Sequence, residues 1–309
     1  MPHAEDLDFA RHADELRARL GRVSVWWTIP VRGPAAGARD AAAAVEQLGF
    51  SALWYGESPR SKDTFAAAAT LLAATSTLHI ATGISNIWSR AAATMYAGAA
   101  ALSEAFDERL VLGLGVSHAP LVRLVGEDYR KPVTVMRDYL DQMDDAPYEG
   151  ARPAGGVRRT LAALRPRMLA LAAQRSAGVC PYFVPVEHSA RARETLGAQP
   201  WLAPEQAFVL EADADRARAR AREHMATYLQ LDNYVNNLRT LGYGDDDFAD
   251  GGSDRLADAI VAWGDADAIA ARVQAHLDAG ADHVGLHPLG DDATALAALQ
   301  AVAPTVLAL

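Results

Sequence analysis

Residues Leu110 to Val116 form one apolar run with no polar position inside it. A strand with one wet face alternates apolar and polar residues. An unbroken run of this kind belongs to a strand covered on both faces, as in a parallel sheet packed under helices. Gly113 and Gly115 sit inside the run and strip it of side-chain bulk, which weakens a strand unless something approaches its backbone closely. The run then breaks into Ser117, His118 and Pro120. Polar groups at the carboxyl end of a buried strand lie where parallel α/β folds place their chemistry. The dinucleotide fingerprint Gly-x-Gly-x-x-Gly is not met, because its last glycine falls on His118.

The same alternation of strand, polar tip and helix recurs along the chain. Strands are expected at Val23–Trp27, Ser51–Tyr55, Leu78–Ile84, Arg159–Leu164, Gly178–Val184, Gln206–Leu210 and His283–His287, besides the one at Leu110. Between them fall helices at about Ala38–Leu48, stopped by Gly49, at Asp63 or Thr64 to Thr75, and at Ala91–Phe106. An amphipathic helix over Asp6–Leu20 leads into the first strand. Val45–Trp54 and Val273–Leu286 share a helix, a glycine stop and a strand. Strands alternating with helices at this spacing build right-handed βαβ units. Eight of them predict a (β/α)8 TIM barrel as one domain over residues 1–309, with an open doubly wound sheet as the alternative. Two connections exceed what a plain barrel needs and are expected as insertions, about 121–158 and 212–264. The first holds a helix opened by Pro132, with Met136, Tyr139, Leu140 and Met143 on a packing face.

Composition narrows the function. A formal net charge of −10 argues against a general nucleic-acid binder. Arg216, Arg218, Arg220 and Arg222 alternate with alanine over two helix faces, as on a solvated surface. Cys180 is the single cysteine, which excludes an internal disulfide and a cysteine-based zinc cluster. No apolar run nears the roughly 18 residues of a membrane span, and the charged start lacks a signal-peptide core. A cytoplasmic protein acting on a small molecule, with no membrane or nucleic-acid partner, is expected.

Candidate functional residues come from strand ends, which a barrel gathers at one mouth. They are Glu57 and Ser58 after the second strand, Gly83, Ile84, Ser85 and Asn86 after the third, and Ser117 and His118 after the fourth. Glu57 reads equally well as a cap for the following helix. His287 reads first as a hydrogen-bonded turn residue before Pro288. The histidines show no His-Glu-x-x-His spacing, and no metal set is expected. At Leu164-Arg-Pro-Arg-Met168 a strand passes into a helix with proline in its first turn, a seat for phosphate reinforced by Arg165 and Arg167.

The order of motifs resembles the luciferase-like monooxygenase superfamily, in its branch of oxidoreductases dependent on the deazaflavin coenzyme F420. The residues that carry it are Leu53-Trp-Tyr-Gly-Glu57, Ile80-Ala-Thr-Gly-Ile-Ser-Asn-Ile-Trp-Ser-Arg90, Leu112-Gly-Leu-Gly-Val-Ser-His-Ala-Pro120, Tyr129-Arg-Lys-Pro132, Leu164-Arg-Pro-Arg-Met-Leu169 and Gly178-Val-Cys-Pro-Tyr182. The resemblance implies a cofactor across the carboxyl ends of the strands, backed by a non-proline cis peptide at Gly83-Ile84. It implies a phosphate seat at Arg165, Arg167 and Met168, with Leu164, Tyr182, Ser58, Ser85, Asn86 and Ser117 around the cofactor. Several such enzymes follow an acidic residue with histidine at the end of strand two; here the pair is Glu57-Ser58. Glu57 and His118 are then the groups expected to move protons. The implied activity is hydride transfer between coenzyme F420 and a small organic substrate. The alternatives are an FMN-dependent monooxygenase and a cofactor-binding protein without turnover. Homodimers are implied, pairing through the alanine-rich helices at Asp63–Thr75 and Ala91–Phe106, where Gly98 would permit close approach.

Overall fold

The structure, a computed structural model, describes residues 7–309, so the expected helix start at Asp6 lies outside the described residues. Parallel strands run around a ring: β1 Val23–Trp26, β2 Ala52–Tyr55, β3 His79–Thr82, β5 Leu110–Gly115, β6 Arg159–Leu161, β7 Gly178–Val179, β8 Trp201–Leu202 with β9 Glu205–Leu210, and β11 Val284–Pro288. β1 pairs with both β2 and β11, so the first and last strands meet. The seam opposite is made by one stretch, 201–210, split into β8 and β9 at Ala203-Pro204. Ala203 and Glu205 donate their N–H groups to Val179 and Pro181 on one side, while the Pro204 carbonyl accepts from Gly285 on the other. Proline has no N–H to give, but its carbonyl still carries the ladder through the break. The expected barrel and its strand order are thus present.

Two short strands were not expected. β4, Ser85–Asn86, continues the third strand past a break and pairs with β5. β10, Val261–Gly264, lies outside the ring against β9 and ends the second insertion, and the crossover helix Ala266–Asp278 follows it. That insertion is otherwise helical, with Ala214–Tyr228, Asp232–Thr240 and Asp254–Ile260 packed on β9 and β10 through Leu238, Leu256 and Met225. Its arginines meet carboxylates, Arg216 with Glu211, Arg218 with Asp258 and Arg222 with Asp254, as a solvated face would. The helix Pro132–Asp144 buries the four side chains expected of it.

Burial explains why these segments hold their places. The larger core lies between sheet and helices, and a smaller one fills the barrel interior. Inside, Trp26, Trp54 and Trp201 stack in series at 5.9 Å. The helix Phe9–Leu20 turns Ala13, Leu16 and Leu20 onto this inner core. Glu15, Arg17 and His12 bond to residues just before β6 and β11, so the helix plugs the amino end. The carboxyl end is left for function.

Candidate functional site

The bulge at the third strand is set by backbone geometry and two clamps. The Gly83-Ile84 peptide is cis, as expected. A Cβ on Gly83 would stand 2.0 Å from Cη2 of Trp26, so only glycine fits beneath that indole. Ile84 turns its side chain into the space that Gly115 vacates, and the Thr82 carbonyl occupies the space at Gly113. The two glycines of the central strand therefore admit the neighbouring bulge and its backbone, a closer and more local tenant than a ligand. Glu57 holds the bulge from outside. Its N–H donates to the Ile84 carbonyl at 2.9 Å, and its Oε2 accepts the Asn86 N–H at 2.7 Å. Burial pushes the Glu57 carboxyl above the usual range, against that hydrogen bond and the charge of Arg90. Glu57 does not cap the following helix; Asp63 does, accepting from Phe65 and Ala66. Ser58 shapes the intervening turn, its Oγ accepting the Arg60 N–H.

Two polar atoms at this bulge are buried without a partner, Ser85 Oγ and Asn86 Nδ2. Nearly all buried donors in folded proteins are paired, so each such atom asks for a ligand or water. At the next strand end Ser117 adopts a left-handed φ of 55° and turns the chain out of β5. His118 follows, and its Nδ1 donates to Asn233 Oδ1 at 2.7 Å while its ring lies 5.0 Å from Tyr234. Burial depresses its pKa, opposed by the Asn233 contact, so the ring is neutral near pH 7. The second insertion thus takes hold of His118, and no hydrogen bond joins it to Glu57.

The helix Pro166–Arg175 begins as expected, with Arg165 extended at its cap. Arg165 and Arg167 are exposed and Met168 is buried. The Leu164 carbonyl accepts from His188 Nε2 at 2.8 Å, fixing the strand-to-helix turn. Tyr129, from the first insertion, lies within the field of Arg165, and burial raises its hydroxyl pKa against that charge.

Tyr182 is the hinge between these parts. Its ring packs 5.1 Å from Trp26, the indole over Gly83, and it shares the inner core with Ile84. Its hydroxyl meets Tyr228 at 2.8 Å and His287 Nδ1 at 3.4 Å. Behind it His287 Nδ1 contacts Glu205 Oε1 at 2.9 Å, and Glu205 Oε2 accepts the Phe183 N–H at 3.3 Å. Glu205 is only 2% exposed. His224 Nε2 completes the group, buried and unpartnered. Burial and the neighbouring His287 hold the His224 pKa down to about 3. Glu205, His224 and Tyr228 were absent from the sequence-based site, and His287, weighed there at the end of its strand, was read first as a turn residue although it lies within β11. The further signal was Glu205, a carboxylate at the head of an apolar strand. Glu205, His224 and His287 come from β9, the insertion helix Ala214–Tyr228 and β11, so no local spacing reveals that they meet.

The luciferase-like monooxygenase family model matches residues 21–283. A 5,10-methylenetetrahydromethanopterin reductase of Methanolobus tindarius is 25% identical over 203 residues, 57% of this chain and 62% of the relative's length. Among solved structures, an F420-dependent secondary alcohol dehydrogenase in complex with an F420-acetone adduct superposes with a TM-score of 0.73 at 15% identity, over 92% of this chain and 98% of the other. The oxygenating constituent of 3,6-diketocamphane monooxygenase from the CAM plasmid of Pseudomonas putida, a type II Baeyer-Villiger enzyme in complex with FMN, superposes with 0.69 at 15% identity, over 92% and 97%. At such identities the structural likeness establishes the fold alone.

Proposed function

The chain belongs to the luciferase-like monooxygenase family, and from that premise we propose that it is an oxidoreductase that binds coenzyme F420 at the carboxyl mouth of its barrel and acts on a small organic molecule. The observation that carries the reading is the pair of buried, unpartnered polar groups at one strand tip, Ser85 Oγ and Asn86 Nδ2. They sit beside Glu57 and an apolar wall of Ile84, Trp26 and Tyr182. A flat, largely apolar ring with carbonyl and N–H groups along one edge fits such a seat. Arg165 and Arg167 supply exposed positive charge at a helix start, which suits the phosphate of the same molecule. The F420-dependent secondary alcohol dehydrogenase among the similar structures supports the deazaflavin reading.

When bound, the deazaflavin supplies the hydride chemistry. The chain's own part is to hold the ring against Ile84, to keep bulk water away with Trp26 and Tyr182, and to move a proton through Glu57 or His118. Glu57 is suited to give one, because burial favours its protonated form. His118 is suited to accept one, because it is held neutral. Equilibrium dialysis of the purified chain against F420 and, separately, FMN tests the reading. Retention of F420 at micromolar concentration with FMN left behind is the expected result. FMN retained in its place would make the monooxygenase reading correct, and retention of neither would sink both.

A further inference from the structure

We propose that Glu205, His224 and His287 form a site for one divalent transition-metal ion of the zinc type, set in the barrel mouth behind Tyr182. One ligand atom from each residue lies within 4.8 Å of the other two. The set of two imidazoles and one carboxylate is a common one for zinc and for other first-row divalent ions. The ligands come from two barrel strands and an insertion helix, so the fold rather than a local turn brings them together.

Three observations separate this group from a hydrogen-bonded cluster. His224 Nε2 is buried among polar neighbours yet bonded to none of them. A ligand nitrogen awaiting its ion has this appearance, and His224, unlike His12 and His188, makes no hydrogen bond through its other ring nitrogen either. The imidazoles of His224 and His287 have centroids 5.3 Å apart with planes at 83°. Two imidazoles on one tetrahedral ion, each bonded at about 2.1 Å, bring their centroids to about 5 Å. The Glu205 carboxylate is buried and opposed by no arginine or lysine among its hydrogen-bonded partners, which are His287 and the Phe183 amide. An ion bound by Glu205 and by His287 Nδ1 would take the place of the hydrogen at Nδ1, and His287 would carry its hydrogen on Nε2 instead, so the bound imidazole stays neutral.

The distances say what must move. Glu205 and His287 are already 2.9 Å apart. Ligands at about 2.1 Å from a common tetrahedral ion lie about 3.4 Å from each other. Glu205 and His287 must therefore part by about 0.5 Å and His224 swing in by up to about 1.4 Å, breaking no hydrogen bond at Nε2 in doing so. Three protein ligands leave one position open, and the Tyr182 hydroxyl lies beside the set, 3.4 Å from His287 Nδ1. An open fourth position takes water or an oxygen of a small molecule. The Phe183 N–H on Glu205 Oε2 is the outer contact that orients the carboxylate. The site does not depend on which cofactor the barrel carries.

The test uses the full chain, stripped with chelator and titrated with Co2+ and then Zn2+. The expected result is one Co2+ per chain with visible ligand-field bands, displaced by Zn2+, and a Zn2+-dependent rise in melting temperature. Glu205→Gln, His224→Gln and His287→Gln should each weaken binding by more than the roughly 10–100-fold that loss of a supporting residue costs. Glu205→Gln keeps the side-chain shape, and far-UV circular dichroism on each variant establishes that it is folded. Two results overturn the site: no Co2+ uptake by the wild-type chain at micromolar concentration, or uptake that these variants leave unchanged, which would mark adventitious surface binding.

Discussion

Glu57 braces the bulge with its backbone and its carboxylate at once, and this sets up a conflict between charge and burial. Its folded pKa is raised, so the folded chain holds the proton over a range where the unfolded chain has lost it. Stability therefore falls as pH rises from the unfolded value through the folded one. Glutamine can accept the same Asn86 N–H without that penalty. Glu57→Gln should leave stability at pH 4 near that of the wild type and raise it at pH 8, measured by urea unfolding at both values. A variant weaker at pH 8 would mean that the charged carboxylate stabilises the bulge. On catalysis the same residue is tested against His118. If either carries the proton, Glu57→Gln or His118→Ala should lower turnover by roughly 10²–10⁴-fold. Cofactor affinity should move much less. Full turnover in both would shift the role to solvent or to another group at the mouth, Tyr182 first.

Among the elements, the strands buried on both faces were legible because a continuous apolar run bounded by polar residues has few other homes. The cis bulge was legible only through its motif, since neither glycine nor isoleucine announces a cis bond. β10 was not legible: Val261-Ala-Trp-Gly264 follows directly on a helix, and four residues are too few to establish a period of two. The Glu205–His224–His287 group was invisible for a different reason. Glu205 and His287 flank the second insertion and His224 lies within it, so only tertiary packing brings them together. The strand-to-helix turn at Leu164–Met168 was legible through proline and its two arginines, and its role is open to a direct measurement. Arg165→Ala and Arg167→Ala should each weaken F420 binding about tenfold, as for loss of one charge-assisted contact to a phosphate. They should leave affinity for a deazaflavin fragment lacking the phosphate unchanged. Equal losses for both ligands would place the arginines elsewhere in the site.

The molecule as a whole buries several imidazoles in neutral form. Burial holds His188 and His283 down to about 4 and His276 to about 3. All three are almost fully enclosed. Unfolded, each would take a proton near its ordinary value of about 6.5. The stability they permit is complete above that pH and is lost as pH falls toward their folded values, by up to about 1.4 kcal/mol per group per pH unit. Urea midpoints should thus drop steeply between pH 6.5 and 4, and His283→Gln should flatten the slope. Assembly is the remaining question at this scale. We propose that two copies pair through the helices Thr64–Leu72 and Ala92–Ala105, though not for the reason Gly98 suggested. A Cβ at Gly98 would meet Phe65 at 2.5 Å, so this glycine serves packing within the chain. What faces outward is a set of small side chains, Ala66, Ala93 and Ala101 exposed and Ala97 half-buried. Small residues let two such surfaces meet closely, and a symmetric pair buries the same patch on both copies. Ala101→Arg should then convert a dimer into a monomer in sedimentation equilibrium at micromolar concentration, with the circular dichroism of the fold unchanged. A wild-type chain that sediments as a monomer, or an arginine variant that still dimerises, would place the interface elsewhere or remove it.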